Sequence, residues 1–356
     1  MEEMAIVFSP KYYEHNTGRD HPESSRRLKT VMRELKRLNL FSATTGCQLV
    51  EPELASIENL ELVHDPEYVG LVKRICELGG GLLDLGDTVV SPKSFEVARY
   101  AVGGARKAVD SVLDGNYQKA FALVRPPGHH AGPYYGAGFC VFNNVAVAAA
   151  YLIEQHSFER VLILDVDAHH GNGTQEIFYD SEKALYMSLH EDPREFPGTG
   201  FVDEVGEGAG LGYNVNVPLP FGTGDEEYMK AFDEVVVPVA RQYEPQFVLV
   251  SVGYDSHYGD PVGKLQLSAA AYESIFKKTL DLASTVCQGR LVAVLEGGYN
   301  LGQLGKLAAL TISRMADFSY SMKDGTPPAN SNVARRARRV IEKVEKAHSA
   351  FWKLRA

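Results

Sequence analysis

The chain has 356 residues, 45% of them apolar and 23% charged, and a formal net charge of −10. That balance describes a folded globular protein, argues against a nucleic-acid binder as a whole, and leaves no apolar run of the roughly 18 residues that a membrane span needs. Met1-Glu2-Glu3-Met4 lacks the basic segment and apolar core of a secretory signal, and Cys47, Cys76, Cys140 and Cys287 are scattered, so the expected setting is reducing and cytoplasmic.

Along the chain, apolar runs of strand length alternate with helical patterns. This predicts an α/β fold with a central, mostly parallel sheet flanked by helices on both faces. Four runs share one design. Ala120–Val124 leads into Arg125-Pro126-Pro127-Gly128-His129-His130, and Val161–Leu164 into Asp165-Val166-Asp167-Ala168-His169-His170. Phe247–Val252 leads into Gly253-Tyr254-Asp255, and Leu291–Leu295 into Glu296-Gly297-Gly298-Tyr299. Runs without charge suit strands buried on both faces, and open parallel sheets build their sites at the carboxyl ends of such strands.

Residues 1–323 read as a single domain, followed by a turn-rich segment over 324–332 and a basic tail over 333–356. The tail sets eight Lys and Arg against two Glu, a net +6, so the remainder carries about −16. Val340, Val344, Ala347 and Phe351 recur at helical spacing, which predicts an amphipathic helix packed on the domain with a solvated basic face.

Chemistry concentrates at the four tips. Alternate residues of an extended chain share a face, so Asp167 and His169 can chelate one ion across Ala168, although a buried ion pair fits that Asp-x-His pattern equally well. Carboxylate with imidazole is a zinc-like donor set, and Asp255, after a buried strand and a glycine, is the best third ligand; a turn aspartate is its plainer reading. His129 and His130 are poor core residues and suit proton transfer, with Asp165 and Asn172 each able to accept an imidazole N–H. Tyr299 follows two glycines and can donate to an oxyanion. Together these groups describe metal-assisted hydrolysis of a carbonyl.

Five spaced motifs carry a resemblance: Arg125–His130, Asp165–Gly173, Phe196–Gly200, Tyr254-Asp255 with Gly259-Asp260-Pro261, and Glu296–Tyr299. Over roughly residues 5–315 the chain resembles the zinc-dependent histone deacetylase and acetylpolyamine amidohydrolase superfamily. The resemblance implies a single arginase-like domain and one zinc ion on Asp167, His169 and Asp255. It makes His130 the general base and acid, oriented by Asn172, and His129 its electrostatic partner, oriented by Asp165. Tyr299 would polarise the amide carbonyl. Phe139 and Phe196 would wall the acyl-lysine stem, and the Gly138 carbonyl would receive its N–H. A potassium ion is implied at Ser188, Leu189 and the main chain of Asp165, Asp167 and His169. Asn172 resembles the class II and prokaryotic members. Val262 stands where polyamine-preferring relatives carry an acid, which favours an acyl-lysine-like substrate, and Asp87 resembles the acid at the tunnel rim. His170 receives no role.

The expected activity is zinc-dependent removal of an acetyl or short acyl group from an acylated amine, either an acetyl-lysine peptide or a small molecule such as an acetylpolyamine. A binuclear manganese ureohydrolase would need further bridging acids where Gly171 and His257 stand, and a silent acyl-group reader would be expected to have lost Tyr299 or a metal ligand. Neither a membrane nor a nucleic acid is an expected partner, and a homo-oligomer is left open.

Overall fold

The structure is a computed structural model that describes residues 4–42 and 45–354. The N-terminal Met1–Glu3 and Arg355, the last basic residue of the tail, lie outside the described residues.

Among the described residues, ten strands occur in chain order: β1 (Met4–Val7), β2 (Cys47–Val50), β3 (Gly81–Leu82), β4 (Val89–Val90), β5 (Lys119–Ala122), β6 (Val161–Asp165), β7 (Ala184–Glu191), β8 (Asn214–Leu219), β9 (Phe247–Val252) and β10 (Leu291–Leu295). Eight of them form one sheet in the order β2-β1-β5-β10-β9-β6-β7-β8, while β3 and β4 make a separate antiparallel hairpin. Every pairing within the large sheet is parallel. Successive side chains of a strand point to opposite faces, and every residue of β6, β9 and β10 is buried, so helices cover the sheet on both sides. The fold is the expected α/β architecture. The strand expected over 120–124 ends earlier, at Ala122, yet Leu123 still donates to the Val7 carbonyl.

Local signals set the covering helices. Asn143 caps the helix Asn144–His156 by accepting the Ala146 N–H, and its Ala/Val-rich body is buried through Ile153 before Ser157 closes it in the left-handed region. The helix Ser94–Leu113 packs on that helix and on β5, and Ala269–Cys287 packs against Leu304–Met315.

The terminal helix runs over Ser331–His348, with Asn330 capping the N–H groups of Asn332 and Val333. It lies against β8 at the sheet's edge and against the helix Asp225–Ala231. Its buried stripe is Ala337, Ile341, Val344 and His348, whereas the expected stripe held Val340, Val344, Ala347 and Phe351. The helix is rotated because Ile341 and the His348 ring fill the groove instead, leaving Phe351 38% exposed. Trp352, just beyond the helix, donates its indole N–H to the Gly212 carbonyl at 2.8 Å.

Candidate active site

The four chemically loaded tips belong to β5, β10, β9 and β6, which are neighbours at the centre of the sheet. Parallel pairing sends all four off the same edge, so residues far apart in sequence converge there. Glycine at the tips has a packing cause. A Cβ on Gly253 would collide with the Asp167 carboxylate, and one on Gly297 with those of Asp255 and Asp167.

Asp167, His169 and Asp255 place one ligand atom each within 4.8 Å of one another. His169 Nδ1 lies 3.3 Å from Asp167 Oδ1 and 3.1 Å from Asp255 Oδ2. Main-chain donors fix the acids: Gly297 N reaches Asp167 Oδ2 at 2.8 Å, and Ala168 N reaches Asp255 Oδ1 at 3.1 Å. Burial, reinforced by the Asp167 charge, pushes the Asp255 carboxyl above its usual range. Two dry carboxylates around one imidazole call for a cation, and two oxygens with one nitrogen, open on the cavity side, suit a divalent ion that keeps a further position. The residues fit the metal that the sequence implies. His129, Cys140 and Glu296 also converge, but Glu296 Oε2 is taken by the N–H groups of Gly128 at 2.6 Å and His129 at 3.2 Å. Burial also pushes the Cys140 thiol up and keeps it protonated, so that group reads as loop bracing.

The two histidines are held in different charge states. His129 Nδ1 lies 3.0 Å from Asp165 Oδ2, which also accepts the Tyr186 hydroxyl at 3.1 Å. Burial alone would lower His129, but the charges of Asp165 and Asp167 win and push it up to about 10. His130 Nδ1 lies 2.8 Å from Asn172 Oδ1, while Asn172 Nδ2 donates to the Tyr135 hydroxyl at 3.0 Å. That second bond sets the amide's orientation, so its oxygen faces His130 and Nδ1 carries the proton. The Nε2 lone pair is left free. Burial, then the His129 and His169 charges, hold His130 well below the usual imidazole range.

A cavity of about 200 Å³ reaches this point, lined by Asp87, His130, Gly138, Phe139, His169, Phe196, Val262 and Tyr299. The Phe139 ring meets the Tyr299 ring edge-on at 5.6 Å, and Phe196 meets His130 at 4.9 Å. Gly138 has φ +53°, and a Cβ there would strike the His130 ring. Phe139 follows at φ +69° and is held by its N–H to Thr88 Oγ1 at 3.1 Å. Asp87 stands in the loop of the β3–β4 hairpin, with its carboxyl raised by burial and by Asp84. Burial raises the Tyr299 phenol well above its ordinary value, so it keeps its proton, and among the described residues its hydroxyl has no hydrogen-bond partner.

All fifteen residues singled out in the sequence are described here. Ser188 stands opposite Asp165 in the β6–β7 register, with its hydroxyl 2.8 Å from His190 Nδ1, and the Leu189 carbonyl accepts the Tyr228 hydroxyl at 3.4 Å. Sequence reasoning passed over a buried knot behind Tyr299. Arg27 donates to the carbonyls of Gly298 at 2.7 Å and Glu296 at 2.5 Å, and its guanidinium lies 4.9 Å from the Tyr299 ring centroid. Glu23 meets Arg125 Nε at 2.6 Å and Arg27 at 3.4 Å. The signal available was Arg125 beside the Pro-Pro-Gly-His-His motif and the i, i+4 pair of Glu23 and Arg27. His170 is locked between Gln175 at 3.0 Å and Thr199 at 3.2 Å, a packing role.

The histone deacetylase domain profile matches residues 21–315. The chain belongs to the histone deacetylase family. It is 41% identical to a probable deacetylase of Archaeoglobus fulgidus over 98% of both chains. It is 37% identical to a histone deacetylase-like amidohydrolase of Pseudomonas aeruginosa, over 86% of this chain and 78% of that one. Human polyamine deacetylase HDAC10 is 38% identical over 94% of this chain, which spans 50% of that protein's length. Among solved structures, the HDA15 HD domain superposes with a TM-score of 0.87 at 34% identity, covering 99% of this chain and 95% of that one. Histone deacetylase family proteins are metal-dependent hydrolases, and this arginase-like chain presents a metal-capable group in its tunnel.

Proposed function

We propose that this deacetylase family enzyme is zinc-dependent and removes an acetyl or other short acyl group from an acyl-lysine-like amine. The observation that supports it best is the meeting of the Asp167–His169–Asp255 group, the free His130 Nε2 and the protonated Tyr299 around one narrow cavity. Zinc held by Asp167, His169 and Asp255 would supply Lewis acidity toward the amide carbonyl and a water that is nucleophilic near neutral pH.

The chain's own groups do the rest. His130 Nε2 takes a proton from the attacking water and returns it to the departing amine, as a neutral imidazole with one bare nitrogen can. His129, charged beside Asp165, stabilises the negative charge that develops and keeps His130 neutral by repulsion. Tyr299 donates to the carbonyl oxygen as it becomes an oxyanion. Phe139 and Phe196 exclude water from the acyl-amine stem, the Gly138 carbonyl accepts its N–H, and Asp87 engages the substrate backbone at the mouth. The same reading assigns potassium to the main chain of Asp165, Asp167 and His169 with Ser188 and Leu189. It takes residues 1–323 as the catalytic domain and the segment from 324 onward as an appendage, in a cytoplasmic protein.

A polyamine substrate is the second reading. The similarity to human polyamine deacetylase HDAC10 and the acidic body favour it, while the uncharged Val262 in the tunnel wall disfavours it. The deciding assay compares an acetyl-lysine peptide with acetylated putrescine and spermidine on zinc-quantified protein. Faster turnover of the peptide supports the first reading, and equal or faster turnover of the polyamines overturns it.

A further inference from the structure

Residues 318–330 take no regular secondary structure and lie past residue 315, where the family domain ends. Asp324 nevertheless points inward, its side chain only 7% exposed. Its Oδ2 accepts the Ala269 N–H at 2.7 Å and meets His257 Nε2 at 3.2 Å, and its Oδ1 accepts the Tyr258 hydroxyl at 2.9 Å. The Gly325 N–H returns a bond to the Tyr258 oxygen at 3.2 Å. A carboxylate fully engaged in this way fixes whatever its partners belong to.

Two of those partners, His257 and Tyr258, belong to the tip loop of β9. They lie between the metal-capable Asp255 and Asp260, with their rings tilted at 35° and their centroids 4.4 Å apart. The Gly259 N–H donates to His257 Nδ1 at 3.1 Å, so Nε2 carries the proton that faces Asp324. Asp260 continues the chain of bonds. Its Oδ1 accepts the Val262 N–H at 3.0 Å, and its Oδ2 accepts those of Tyr299 at 2.7 Å and Asn300 at 2.9 Å. One hydrogen-bonded path therefore runs from Asp324 through His257 and the Gly259–Asp260 turn to the backbone of Tyr299.

We propose that Asp324 is a positioning residue, and that the segment following the catalytic domain is a strap that holds the Asp255–Val262 loop in register with Tyr299. The strap rests on the reading of Asp255 and Tyr299 given above. It acts through the loop and touches no substrate. Displacements of well under an ångström between catalytic groups are costly to turnover, which gives a buried clamp on one of two facing loops its kinetic weight. The plainer alternative is that Asp324 only caps the helix Ala269–Cys287, whose own cap Ser268 already serves Ala270.

Two variants of the full chain separate these roles. Asp324→Ala removes every contact of the Asp324 carboxylate and leaves only the Gly325 N–H on the Tyr258 oxygen, and Tyr258→Phe removes the hydroxyl contacts while leaving the Ala269 cap intact. Amide hydrogen exchange is followed over residues 255–262 and 296–300, together with zinc retention against a chelator, kcat and KM. The strap requires faster exchange in both loops in Asp324→Ala and over residues 255–262 in Tyr258→Phe, with roughly tenfold weaker zinc retention and a roughly tenfold lower kcat with KM nearly unchanged in Asp324→Ala. Faster exchange confined to residues 316–330 and the start of the Ala269–Cys287 helix, with unchanged kcat and zinc retention, overturns it. Tyr258→Phe carries the test if Asp324→Ala does not fold. The exchange arm needs neither zinc nor substrate, so an inactive wild-type chain would sink the proposed activity and leave the strap to be judged on exchange alone.

Discussion

Replacing Tyr299 by phenylalanine isolates one oxygen atom. The ring keeps its edge-on contact with Phe139 at 5.6 Å and stays beneath the Arg27 guanidinium at 4.9 Å, so the packing survives. Since no described residue bonds to the hydroxyl, its loss orphans no partner, and folding stability should move by less than about 0.5 kcal/mol. Its contribution exists only while an oxyanion is forming. Removing one such donor costs about 2.7–4 kcal/mol, equivalent to 10²–10³ in kcat, with zinc content unchanged. The assay is steady-state turnover of an acetyl-lysine peptide by Tyr299→Phe protein of measured zinc content, beside a thermal melt. A kcat within about threefold of wild type at full zinc occupancy would refute the assigned role. A lowered melting temperature with lost zinc would show instead that the hydroxyl supports the fold.

Other expected outcomes follow from the same geometry. Stripping metal with a chelator should abolish turnover and zinc should restore it, whereas activity surviving verified metal removal would end the metal-dependent reading. Gly138→Ala forces a side chain into the left-handed region, costing about 1–2 kcal/mol before its clash with the His130 ring; turnover should collapse while zinc binding persists, and full activity would contradict the crowding described. Glu23 is held down to about 2 because Arg125, with His15 and Arg27, outweighs the burial that would raise it. Its stabilisation is therefore fully present above pH 4.5 and lost as pH falls toward 2. Glu23→Ala should cost about 3–5 kcal/mol in denaturant unfolding at neutral pH and less in acid, and a pH-independent difference would count against the ion-pair account. Burial pushes His348 down to about 4, and neither ring nitrogen has a partner among the described residues, so docking of the terminal helix should be firm above pH 6.5 and weaken as pH falls toward 4. Trp352 is the sole tryptophan, so its emission reports that docking, and His348→Leu should flatten the acid-dependent change; an unaltered midpoint would clear His348 of the role.

The four strand tips were legible because each joins a charge-free run to glycine and a polar side chain, a pattern that short-range physics writes into consecutive residues. Their adjacency was not. Nothing in Phe247–Val252 or Leu291–Leu295 says that these strands pair with each other between β5 and β6; long-range register decides it. Glu23 and Arg27 resemble an ordinary surface pair at helical spacing, and only their partners Arg125 and Gly298, remote in sequence, bury them. The terminal helix showed its helical period but not its rotation, because Val340 and Ile341 compete for one groove that β8 and the helix Asp225–Ala231 define together. Asp324 looked like loop punctuation, since a carboxylate's acceptors are satisfied by donors that no local pattern reveals.

The central placement of the tip strands also bears on how substrate is admitted. β5, β10, β9 and β6 are interior strands whose ladders are completed on both sides, so loosening their ends means breaking bonds deep in the sheet. The floor of the site, at the ends of these strands, is therefore firmer than the loops around its mouth. Adjustment to a substrate then falls to the loops that carry Phe139 and Phe196 and to the outlying β3–β4 hairpin that carries Asp87. Little ordering entropy is then spent at the floor, and chain length and stem width should set which acylated amines reach it.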